Sequence, residues 1–153
     1  MFIIFHQTIL VPVAFTIASL AYGQTADSPD WRAILQQSGF AEVISTKKID
    51  KNIRSEFPSW EKMSKSEKQF NATDFGGGKR QRLFFIARAD NHWIISYEHG
   101  GRGYHTHCFL ITVDSSDKLD VLHSDIKFDT LGDLKEFANT KYDLFRKWQG
   151  DED

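Results

Sequence analysis

The sequence predicts one α+β domain: an antiparallel meander sheet of four to five strands packed against an N-terminal and a C-terminal helix. Three observations carry this. Helix-start chemistry stands at Ser28-Pro29-Asp30 and again at Thr130 with Asp133. Between them lie runs rich in β-branched and aromatic residues, joined by short polar or glycine turns, which is how antiparallel neighbours are connected. The 153 residues include 13 Phe and 4 Trp, 14% aromatic in all, enough apolar mass to order a single core and to exclude a disordered chain.

Residues 1–23 contain no Asp, Glu, Lys or Arg, and the stretch from Ile9 to Leu20 is mostly apolar. This reads as a signal peptide, with Ala21-Tyr22-Gly23 giving small residues at the positions a signal peptidase reads before a cut at Gln24. Residues 24–153 are then one exported domain, secreted or periplasmic, and membrane attachment is expected only if the leader stays uncleaved. No cysteine lies near the cut, so a lipid-anchored form is not expected.

Ser28 as N-cap, Pro29 at the first helical position and Asp30 in the first turn predict a helix over Pro29–Ser38, with Trp31, Ile34 and Leu35 on one face and Gly39 as its stop. Phe40–Ile49 follows as a first strand. Ser59 then caps a second helix in which Trp60, Met63, Glu67 and Phe70 keep a spacing of three to four. Asn71-Ala72-Thr73 is a glycosylation sequon, and Gly76-Gly77-Gly78 is a loop. Lys79 after the glycines lacks the spacing and the following hydroxyl of a phosphate-binding loop.

Strands are expected at Leu83–Ala89, Trp93–Tyr97, Tyr104–Val113 and Leu119–Phe128, with turns at Asp90-Asn91, at 100–103 and at 114–117. The chain closes with a helix that starts at the Thr130/Asp133 capping box. Leu134, Phe137, Ala138, Phe145 and Trp148 form its expected buried stripe.

The net charge is −2, so the chain as a whole lacks the cationic excess that nucleic-acid binding requires, and no such partner is expected. From Lys47 to Arg82 ten bases face five acids, which reads as a solvated basic face. Cys108 is the only cysteine. An internal disulfide and an all-cysteine metal site are therefore excluded, and the thiol reads as a core residue.

Chemistry concentrates in the hairpin from Trp93 to Cys108. His99, His105 and His107 gather there with Tyr97, Glu98 and Arg102, and these six are the candidate ligand- or partner-binding residues. His105 and His107 alternate by two, so on a strand both rings take one face. With His99 or His123 as a third ligand they would suit zinc with an open position, although no acidic residue stands in a recognised ligand spacing around the pair. Glu98, Arg102 and His105 are also a base, a phosphate-holding cation and an acid, the parts of a metal-free ribonuclease. Gly100, Gly101 and Gly103 around Arg102 supply a tight turn or an anion-holding nest of N–H groups.

No complete catalytic set is legible and no resident cofactor is expected. The favoured reading is a non-catalytic exported binder of a partner protein or small ligand, in the manner of an inhibitor or immunity protein. The alternative is a small hydrolase centred on residues 93–108, zinc-dependent or ribonuclease-like.

Overall fold

A computed structural model describes residues 29–37, 39–43, 45–57, 63–64, 70–73, 78–101 and 103–150. The segment expected to be a signal peptide, Ser28, Ser59, Trp60, Glu67 and Arg102 lie outside the described residues. Strands β1 (Ala41–Glu42), β2 (Met63–Ser64), β3 (Gln81–Ala89), β4 (His92–His99), β5 (His105–Val113), β6 (Leu119–Ser124) and β7 (Arg146–Lys147) form one sheet. Six of them run antiparallel in the order β1-β3-β4-β5-β6-β7; β2 pairs parallel with the start of β3. The meander is thus β3 to β6, extended at both edges beyond the four or five strands expected.

Helices α1 (Trp31–Gln36) and α3 (Leu131–Lys141) share a core with one sheet face. Trp31, Leu35, Leu134 and Ala138 meet Phe85, Ala87, Ile94, Cys108, Leu110 and Leu122 there. On the other face α2 (Lys51–Glu56) lays Ile53, with Ile49 and Phe57, over Ile86, Trp93, Ile95, Phe109 and Ile111. Strand alternation makes this two-sided core possible, because successive residues of β4 and β5 are buried on opposite faces. No helix among the described residues is long and apolar enough to cross a membrane.

Local chemistry explains some element ends and tertiary pairing explains others. The capping box of α3 forms as its sequence requires: Thr130 Oγ1 accepts from Asp133 N, and Asp133 Oδ2 accepts from Thr130 N. In α1 the cap is Asp30, whose carboxylate accepts from Arg32 N and Ala33 N, so the helix begins later than expected. It also ends sooner, at Gln36, with Gln37 rather than a residue beside Gly39 as its C-cap.

The expected strand 40–49 shrinks to Ala41–Glu42, because Ser45 caps a 3₁₀ turn over Thr46–Lys48 and α2 follows. Met63, expected on a helix, is extended and 7% exposed: pairing with Gln81 in β3 buries its side chain and supplies backbone partners that outweigh helical spacing. The last stripe is divided as well. Leu134, Ala138 and Phe145 stay on the α1/α3 side, whereas β7 takes the chain around the edge and delivers Trp148 to the opposite face.

Candidate functional site

The candidate site lies at one rim of the α2-covered face. Its side chains come from the end of β4, the start of β5 and the end of β6. Antiparallel register sets His99 opposite His105, Tyr97 opposite His107 and Phe109 opposite His123. Since these positions share one face, the imidazoles form a continuous row. Ring centroids are 5.0 Å apart for His99 and His105, 4.8 Å for His105 and His107, and 5.1 Å for His107 and His123.

Aromatic rings wall the row. Tyr97 stacks on His107 at 4.8 Å, and Trp148 stands edge-on to His123 at 5.0 Å and to Phe109 at 5.1 Å. Burial grades along the row: His105 is exposed, His99 and His107 are half-buried, and His123 is buried.

The inner end is the most organised. His107 Nδ1 and His123 Nε2 share a hydrogen bond of 2.9 Å, one ring donating and the other accepting. Asp125 Oδ1 is 3.4 Å from the same His123 nitrogen, and its Oδ2 accepts from Arg146 Nη2 at 3.3 Å. Burial, with the neighbouring His123, His105 and His99, pushes the His107 imidazole down to about 3. Burial also lowers His123; Asp125 opposes that shift and Arg146 and His105 add to it. Both rings are therefore neutral at pH 7, each with one unprotonated ring nitrogen. Among the described residues, His107, His123 and Asp125 bring three donor atoms within 4.8 Å of one another, a grouping that could hold a metal ion.

Several candidate residues separate. Glu98 alternates onto the other face, where it is 1% exposed, ion-paired with Arg82 Nε and accepting from Tyr104 Oη at 2.6 Å. That hydrogen bond raises the Tyr104 phenol to about 12. A sheet thus stands between Glu98 and His105, and the proposed carboxylate–imidazole set does not assemble around a common point.

The first glycine of the turn is committed too. Gly100 N donates to Arg80 O, so it is not free for an anion nest, and a Cβ on Gly100 would lie 2.5 Å from Asn71 O. This glycine is needed for a close backbone approach by residues 71–72. Cys108 is fully buried in the α1/α3 core, where burial pushes its thiol up and keeps it an unreactive thiol. His92 is far along β4 and packs its ring on Trp31, with Thr112 Oγ1 as hydrogen-bond partner.

Sequence reasoning placed His99, His105, His107 and Tyr97 together and named His123 as a further ligand. It missed Asp125 and Trp148. Asp125 was within reach of the same argument, since it follows His123 by two in a run expected to be a strand. Trp148 arrives only through the β6–β7 pairing, which no local pattern encodes.

Compared with protein-family models, curated proteins and solved structures, the chain finds no match. The functional reading therefore rests on the site itself.

Proposed function

We propose that this chain is an exported, non-catalytic binding domain that takes a partner protein or small ligand on the histidine rim formed by Tyr97, His99, His105 and His107, with His123 at its inner end. One observation carries the reading: four imidazoles and a tyrosine ring stand in a row at the margin of a face that is otherwise apolar core. Titratable groups gathered at the lip of a core offer hydrogen bonds, ring stacking and coordination from a rigid sheet. The inhibitor- or immunity-like class suits such a surface. The ribonuclease-like alternative loses its support from the opposed faces of Glu98 and His105, while a zinc-dependent hydrolase keeps the histidine row as its own.

Fragment screening by amide NMR on labelled protein in the presence of chelator tests this. Perturbed amides should gather at residues 97–107 and 123–125 and vanish in the His105→Ala/His107→Ala double variant. Perturbations gathered on the α1/α3 side, or unchanged in that variant, would overturn the assignment.

A further inference from the structure

The inner end of the rim has more than a hydrogen-bonded pair of rings. We propose that His107 Nδ1, His123 Nε2 and Asp125 Oδ1 form a site for one divalent transition-metal ion of the zinc class, leaving a coordination position open to water or a ligand. This deepens the binding reading of the same rim.

The donor set argues the ion. Two imidazole nitrogens and one carboxylate oxygen suit zinc and its neighbours, whereas magnesium and calcium favour oxygen-only shells. All three donor atoms lie within 4.8 Å of one another, and two of the three separations are close to what is needed. Two ligands about 2.0–2.1 Å from a tetrahedral ion stand about 3.3 Å apart, so the 2.9 Å between the two imidazole nitrogens need widen by only about 0.4 Å. The 3.4 Å from His123 Nε2 to Asp125 Oδ1 already fits that separation.

The surroundings orient the donors. Arg146 holds Oδ2 of Asp125, leaving Oδ1 toward His123, and Thr106 Oγ1 donates to the Asp125 carbonyl and fixes that backbone. Tyr97 backs one imidazole and Trp148 the other, so neither ring can swing away without losing packed aromatic contact. The Arg146 guanidinium would oppose a cation, but its side chain is 75% exposed and solvent screens it. Two of the three donor side chains come from adjacent strands of the meander and the third from the residue just past β6, which ties the constellation to the sheet.

The test uses untagged full chain, stripped with chelator and titrated at pH 7.5 with zinc against a chromophoric competitor. One equivalent should bind, unaffected by millimolar magnesium. His123→Gln and Asp125→Asn should each weaken binding by more than about 10-fold, while His92→Gln, at the far end of β4, should not. On the unmodified chain, zinc should move the ring resonances of His107 and His123, a readout that requires no variant to fold. Absence of binding, full affinity in both site variants, or unmoved His107 and His123 rings would overturn the proposal. Because fragment binding is read in chelator, fragment hits at the rim with no zinc uptake would refute the metal site alone. Loss of both would refute the rim as well.

Discussion

Replacing Glu98 by alanine separates a binding role for this residue from a scaffold role, and the structure supplies the magnitude. The carboxylate is 1% exposed and accepts two charge-assisted hydrogen bonds, from Arg82 and Tyr104. Each such bond contributes about 1.5–3 kcal/mol net. Partial recovery follows, because the buried charge is gone and both donors reach solvent: Arg82 is 28% exposed and Tyr104 is exposed. Arg82 also keeps its place 4.5 Å over the Phe70 ring. The net loss should therefore fall at the low end of the range for breaking a buried pair, about 3 kcal/mol. Glu98→Gln retains an acceptor for Tyr104 and should lose about half as much. Urea unfolding measures this: with a slope of about 2 kcal/mol per molar, the alanine midpoint should drop by about 1.5 M. Fragment binding at the histidine rim should survive below the transition, since Glu98 faces the other way. A midpoint shift under about 0.3 M on that slope, or rim binding lost at unchanged stability, would refute the reasoning.

Trp148→Ala should cost about 2–3 kcal/mol, below the usual figure for a fully buried tryptophan because the ring is only half-buried against Phe109 and His123. A melting temperature equal to that of the unaltered chain would show that β7 is not anchored there. In chelator, stability should fall as pH drops from 6.5 toward about 3: the folded His107 refuses a proton until about 3, whereas the unfolded chain takes one at the ordinary value of 6.5. Throughout that window the unfolded state binds more protons, which is the sign that lowers stability on acidification. His107→Phe should flatten the slope, and an unaltered slope would assign the acid sensitivity elsewhere. Material recovered from outside the cytosol should start between Tyr22 and Asp27, read by intact mass; full-length chain in the membrane fraction would instead mean an uncleaved anchor.

What the sequence determined by itself is what short-range chemistry can encode. The Thr130/Asp133 box starts α3 because its donors and acceptors are three residues apart. The Asp90-Asn91 turn joins β3 to β4, with Asp90 at φ 50°, because two polar residues can take the tight turn between apolar runs. Period-two alternation placed His105 and His107 on one face and sent Cys108 to the other, where it is buried.

Tertiary structure decided everything that depended on a distant partner. Pairing with His105 extends β4 to His99, and that register is what divides Glu98 from the histidines. Gln81 and Arg82 draw Met63 and Ser64 into an edge strand against their helical spacing. A bulge between Leu83 and Phe85 shifts the pairing of β3 with β4, and β7 carries Trp148 across the sheet edge to His123. His107 meets His123 and Asp125 for the same reason: strand hydrogen bonds and burial select partners by position in space, and residues 16 or more apart in sequence have no local signal by which to find one another.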